Sequence, residues 1–269
     1  MNAIHKFFRL LIVLFSFLIV PKGKRCVKYV RLADFEMLVF ANEDVGRRIA
    51  LFHDFEHEEA EYFRKNLKAD DTCLDIGGNV GFFSMLMASS CRAGAVHVFE
   101  PIPVNAALIG VNIALNDFTN VKVNNVAVAD KAGEAQFSIS VDSAYSSMHA
   151  TGRKAEEKSL KVPLVAIDDY LAANHVARVD VMKVDVEGAE GLVIEGASKL
   201  LSDAARRPRI ILLELFDLNL VPFETSVLKI VERMQAFGYR AQVLAPGAQE
   251  LSAFTPDMAN KFYNVIFVV

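Results

Sequence analysis

The chain has 269 residues, 53% of them hydrophobic and 23% charged, with a net charge of −4. That length and apolar content suit one α/β domain with a substantial core and exclude a disordered chain. The acidic balance speaks against a nucleic-acid partner, which normally leaves a basic stripe.

The first element is a short apolar run, Leu10 to Val20, broken only by Ser16. Lys6 and Arg9 precede it, and Lys22, Lys24, Arg25, Lys28 and Arg31 follow. A helix over this run reaches roughly 16 Å, against a hydrocarbon core of about 30 Å, and extending it back to Ile4 draws in His5, Lys6 and Arg9, so it makes a poor spanning helix. No small-residue cleavage site follows, and Pro21-Lys22 is a poor one. Basic flanks on a short apolar helix suit contact with an anionic membrane surface. Residues 1–31 are therefore expected to form an apolar, basic anchor, with 32–269 as a single cytoplasmic domain. A docked helix and a signal peptide remain the other readings.

Beyond residue 32 strands and helices alternate. A helix is predicted from Glu56 to Leu67 with Glu58, Glu59 and Glu61 outward, then a strand from Cys73 to Ile76 and a helix from Gly81 to Ser90. The strand Ala95–Phe99 stops at Glu100-Pro101, a helix runs from Val104 to Leu115, and a third strand runs from Val121 to Val128. Gln136 to Val141 alternates as a half-exposed strand, and the polar stretch 142–157 reads as a loop or lid. The core resumes with Leu160–Val165, a helix Asp168–Ala173, a strand Val179–Val184 and a helix Ala189–Leu201. Strand Arg209–Leu215, helix Ser226–Phe237, and strands Tyr239–Leu244 and Asn264–Val269 complete the pattern. Near-continuous apolar strands between helices predict a mostly parallel sheet covered on both faces, with an antiparallel hairpin at its C-terminal end. Cys26, Cys73 and Cys91 show no C-x-x-C spacing and read as inert thiols in a reducing compartment.

Ligands in such sheets bind beyond the carboxyl ends of the strands. The first core strand ends in Asp75-Ile76-Gly77-Gly78-Asn79-Val80-Gly81. A dinucleotide loop wants G-x-G-x-x-G, but Ile76 stands where its first glycine belongs. A loop built around an acid suits a cationic ligand end better than a pyrophosphate, which points to S-adenosylmethionine. Glu100, at the end of the second strand, can accept both ribose hydroxyls of an adenosine. Asn125 can touch the adenine or cap a turn. Lys183, Asp185 and Glu187 fall on one face of their strand by alternation, and the lysine needs a carboxylate partner, Asp185 or Glu214. Asp185 and Glu187 can orient or deprotonate a hydroxyl, or hold a divalent ion, although a single Asp-x-Glu specifies no metal by itself and none is assigned. His149, in the polar loop, is an alternative base.

Together these segments resemble the FkbM-type methyltransferase family. The resemblance runs from about Glu56 to Val269. It rests on Leu74 to Gly81, Phe99-Glu100-Pro101, Asn125-Val126-Ala127, Val165 to Asp169, Met182 to Glu190 and Leu212 to Leu215. Gly78 stands where the family usually has alanine, a change expected to be harmless, and Ala166-Ile167 where threonine-leucine is common. The resemblance implies a Rossmann-like class I methyltransferase fold and O-methylation of a hydroxyl, often on a sugar or natural product. The expected site comprises Asp75, Gly77, Asn79, Gly81, Glu100, Asn125 and Asp185 around the cofactor. Asp185, Glu187 or His149 would act on the acceptor, a small molecule, glycan or glycolipid. A nicotinamide-dependent oxidoreductase and a membrane-tethered scaffold without catalysis are the alternatives.

Overall fold

The computed structural model describes residues 25–140, 156–245, 247–248, 250–259 and 263–269. It begins with an antiparallel hairpin, β1 (Val27–Arg31) and β2 (Glu36–Phe40), followed by helices α1 (Asp44–Phe52) and α2 (His57–Asn66). Strict alternation follows: β3 (Thr72–Ile76), α3 (Phe82–Ser90), β4 (Ala95–Phe99), α4 (Pro103–Leu115) and β5 (Val121–Asn124). Next come β6 (Ala127–Val128), β7 (Gly133–Ser140), β8 (Glu156–Val165), α5 (Ile167–Ala173), β9 (Val181–Val184), α6 (Glu190–Gly196) and α7 (Ser198–Ser202). Last are β10 (Ile210–Leu215), α8 (Asp217–Leu220), α9 (Val227–Ala236), β11 (Arg240–Val243), β12 (Ser252–Ala253) and β13 (Tyr263–Val268).

The main sheet has eight strands in the order β12-β11-β13-β10-β9-β3-β4-β5. The strands from β10 to β5 are parallel, and β13 lies antiparallel between β10 and β11. Side-chain alternation divides the core between the two faces. Cys73 of β3 packs with Met85, Val96 and Ile109, whereas Leu74 and Ile76 pack with Val184, Val193 and Leu213. Helices α1–α4 thus cover one face and α5–α9 the other, the mostly parallel, doubly covered α/β sheet with an antiparallel C-terminal end that the sequence predicts.

Three predicted elements differ in the structure. The strand expected over Val121–Val128 breaks after Asn124, whose carbonyl accepts the N–H groups of Val126 and Glu100. Only β5 remains in the main sheet, while β6 pairs parallel with β8 in a separate three-stranded sheet. The helix expected over Ala189–Leu201 divides at Ala197. Gly196 lies where a Cβ would come within 2.1 Å of the Ala129 carbonyl oxygen, and the Asp168 carboxylate accepts the N–H groups of Lys199 and Leu200, capping α7 from outside. The segment expected as an open loop over 142–157 gives way to β8 at Glu156, and its remainder lies outside the described residues, as does His149.

The boundary drawn between residues 31 and 32 falls in the turn of the β1–β2 hairpin, whose strands the sequence pattern does not reveal. Asn112 on α4 and Asn116, the residue that caps its C-terminus, satisfy its open edge. Asn112 exchanges hydrogen bonds with the Leu38 backbone, and Asn116 does the same with Glu36. Two side-chain amides therefore do what another strand would do. The apolar run 10–20 lies outside the described residues, and among those described no helix is long and apolar enough to cross a membrane.

Candidate active site

A cavity of about 560 Å³ opens at the carboxyl ends of β3, β4, β9 and β10. Asp75, Gly77, Gly78, Asn79 and Val80 form one wall, Glu100 to Ile102 and Val126 to Val128 another, and Lys183, Asp185, Glu187 and Glu214 the floor beside them.

Each residue of the loop after β3 answers a local demand. Gly77 has φ +86°, and a Cβ there would come within 1.8 Å of the Asp185 carbonyl oxygen, so this glycine lets the β9 loop close against the turn. Gly81, at φ +90°, starts α3 against Ile109 and does not line the cavity. A Cβ on Gly78 would meet Val98 Cγ1 at 2.5 Å. The glycine in place of the family's alanine thus fits against the Val98 side chain, where a Cβ would crowd it. Gly77→Ala is expected to destabilise the protein by about 2–5 kcal/mol, combining left-handed backbone strain with a backbone clash. Urea unfolding measures this, and a loss below ~1 kcal/mol would show that the turn relaxes.

The acids fall into two groups. On the loop side, Asp75 is 1% exposed; Oδ2 accepts from Ser84 Oγ at 2.5 Å and Oδ1 has no partner. Burial raises its pKa, against the pull of Lys183 and Ser84. Glu100 is also buried, and its two oxygens accept the N–H groups of Asn79 (2.7 Å) and Ile102 (2.8 Å). Burial nevertheless pushes it up to about 8. Asn125 faces solvent and donates its amide to the carbonyls of Glu100 and Pro101. It clamps the turn after β4, outside the cavity lining.

On the floor, Lys183 is buried and donates to Asp185 Oδ2 at 3.0 Å, with Nζ 5.0 Å from the centre of the Phe83 ring. Burial works against its charge, but Asp185, Glu56, Asp75 and Glu214 outweigh it and hold the ammonium ionised. Glu214 is raised well above its ordinary value, first by burial and then by Asp185, Glu56 and Glu187. Of the two partners the sequence offered Lys183, the bond goes to Asp185, with Glu214 contributing field alone. Glu187 has φ +53°, and its Oε2 accepts Asn219 Nδ2 at 2.6 Å. Glu190 stays clear of the cavity and accepts the N–H groups of Val186 and Gly188, fixing the turn that presents Asp185 and Glu187.

Glu56 is a residue the sequence pattern hides, because it reads as the start of an amphipathic helix. It sits at φ +44° and lines the cavity; Oε2 is buried without a partner, and burial lifts its pKa to about 7. Glu59, expected outward, instead accepts Asn264 Nδ2. Glu56, Asn79 and Glu187, three non-glycine residues in the left-handed region, all line this cavity. Strain of ~1–3 kcal/mol per residue concentrates where function needs a fixed side chain.

A model of the methyltransferase FkbM domain matches residues 75–241. The chain is similar to the 31-O-demethyl-FK506 methyltransferase FkbM of Streptomyces tacrolimicus, at 26% identity over 48% of this chain and 60% of that protein. It is also similar to Methyltransferase sdnD of Sordaria araneosa, at 26% identity over 50% of this chain and 63% of that protein. The chain therefore spans less than two thirds of the length of these curated relatives. Among solved structures, the precorrin-6y C5,15-methyltransferase of Geobacter metallireducens GS-15 matches at 13% identity and a TM-score of 0.46, over 80% of this chain and 89% of that one. The matched span reaches from the acid at the end of β3 into β11 and takes in more than half of the sequence, which makes the chain a member of the methyltransferase FkbM domain family.

Proposed function

We propose that the protein is an S-adenosylmethionine-dependent O-methyltransferase acting on a hydroxyl of a sugar, glycolipid or other natural product. The observation that carries this reading is Asp75, a buried carboxylate whose Oδ1 lacks a donor at the wall of the cavity. An unsatisfied buried acceptor costs ~1–3 kcal/mol or more, and the ammonium of an amino acid moiety removes that cost. Each Glu100 oxygen keeps a second lone pair, enough for the two ribose hydroxyls. When bound, the cofactor supplies an electrophilic methyl group on a sulfonium and leaves as a thioether.

The chain's residues supply the rest. Phe82 and Phe83, packed edge to face with ring centroids 5.4 Å apart, give the acceptor an apolar wall. Asp185 is the more exposed member of its pair with Lys183 and takes the proton that the acceptor hydroxyl loses as its oxygen bonds to the methyl carbon. Lys183 orients Asp185 for that step through its hydrogen bond to Oδ2. A nicotinamide reading is weaker, because the turn lacks the first glycine and the space beside Gly77 is filled by the Asp185 carbonyl.

The test is thermal unfolding with S-adenosylhomocysteine, S-adenosylmethionine or NAD. At 100 times the dissociation constant the midpoint should rise by roughly 5–10 °C with the two S-adenosyl compounds only. A rise with NAD alone would overturn the reading. Asp185→Asn should lower turnover ~100-fold or more, the usual weight of a general base, while S-adenosylhomocysteine affinity stays within a few fold. Release of S-adenosylhomocysteine over a panel of alcohols measures it, and undiminished turnover would remove Asp185 as the base.

A further inference from the structure

The floor of the cavity carries more acid than proton transfer requires. Asp185, Glu187 and Glu214 each offer a carboxylate oxygen, and these three atoms lie within 4.8 Å of one another. Oxygens coordinating one ion at ~2.0–2.6 Å stand about 3–5 Å apart, so the spacing is that of a common ligand sphere. A second observation comes from Asn219. It is 4% exposed, its amide reaches into the cluster to donate to Glu187 Oε2, and its Oδ1 has no partner. An amide that fixes one ligand carboxylate is the support metal sites use to orient their ligands. Asn264 stands beside Glu214 in the β10–β13 register, and its Oδ1, like Glu56 Oε2, is buried without a donor. Against these acceptors stand one buried ammonium, Lys183, and the guanidinium of Arg48 at the rim, bridged to Asp44. The unpartnered atoms of Asn219, Asn264 and Glu56 are all hard oxygens, and among the described residues Lys183 and Arg48 are the cations that line the cavity.

We propose that Asp185, Glu187 and Glu214 bind a hard divalent cation of the magnesium–calcium class. The binding site stands on its own geometry, and only its role rests on the methyltransferase reading. In that role the ion holds the acceptor's oxygen beside the methyl donor and lowers the pKa of the hydroxyl, so that a weak carboxylate base suffices.

The experiment uses the full chain, stripped with a chelator. Titration calorimetry and thermal unfolding are run with Mg²⁺, Ca²⁺ and Mn²⁺ in the absence of any S-adenosyl compound, with matched monovalent salt as control. One of the three should bind with a stoichiometry of one and raise the midpoint by roughly 5 °C or more at 100 times its dissociation constant. Glu214→Gln and Asn219→Ala should each weaken that binding about 10-fold or more. No heat and no shift in the unaltered protein would overturn the site, as would a shift that Glu214→Gln leaves intact, since that is screening of surface acids. S-adenosylhomocysteine binding in the same preparation separates the two ideas. If that compound binds and no cation does, the methyltransferase reading stands and the cation site falls. If a cation binds and that compound does not, the site stands and the methyltransferase reading falls.

Discussion

Replacing Glu100 with alanine is expected to weaken S-adenosylhomocysteine binding by at least about 100-fold. Hydrogen bonds to a charged group contribute ~1.5–3 kcal/mol each, and in the proposed binding mode this carboxylate accepts two from the ribose. It also holds the N–H groups of Asn79 and Ile102, so its loss loosens the turn that forms the loop-side wall. A calorimetric titration decides the matter, and unchanged affinity would remove the ribose assignment. The pKa adds a second signature. With Glu100 held near 8 in the free protein, a large fraction is protonated at neutral pH, and only the ionised form can accept both hydroxyls. Affinity should therefore rise as pH increases through about 8, with uptake of ligand releasing a proton to buffer.

Lys183→Met is expected to cost about 3–5 kcal/mol of stability at mildly alkaline pH, the usual penalty for removing one partner of a buried charge group. The variant leaves Asp185, Asp75, Glu56 and Glu214 facing one another without their ammonium. The sign with pH follows from the direction of the shifts. Glu56 at about 7, Glu190 at about 7 and Glu100 at about 8 bind their protons more tightly when folded than unfolded. Their contribution is fully present below the ordinary carboxylate range and is lost as pH rises through 7 to 8. His97, lowered by burial, acts in the opposite direction but is a single group. Stability of the ligand-free protein should therefore fall across that interval, and more steeply in Lys183→Met. Denaturant unfolding at several pH values tests this. An equal penalty at acidic and alkaline pH would show that the lysine acts by packing rather than by charge.

What the sequence reveals and what it hides have separable causes. The turn from Asp75 to Gly81 is legible because its backbone demands glycine where strand meets helix, and the buried strands β9 and β10 announce themselves as apolar runs. Lys183 to Glu190 is legible as chemistry because so many charges cannot enter a strand end without partners. The hairpin β1–β2 is not legible. Its edge is satisfied by Asn112 and Asn116, about 75–80 residues away, and nothing local signals that arrangement. Glu56 is hidden for a similar reason, since an acid before a helix reads as solvent-facing unless the cavity behind it is known. The partnership of Glu214 with Asn264 depends on where β13 inserts, a fact of topology rather than of pattern. Asn124-Asn125 misleads because apolar residues on both sides suggest one strand, while the Asn124 carbonyl turns the chain between them.

The position of β13 has a consequence for how the protein must be made. In chain order it is the last of the described strands, yet in space it separates β10 from β11. A ribosome extending the chain at about 5–20 residues per second completes β10 roughly 3–10 s before β13 emerges. For that interval β10, almost wholly apolar, presents an open edge, and β11 has only the two-residue β12 to pair with. Nascent chains therefore pass through a stage with a sticky, half-finished sheet, the stage at which holdase chaperones act and at which overexpression produces inclusion bodies. A truncation that removes only Tyr263–Val268 would make that stage permanent.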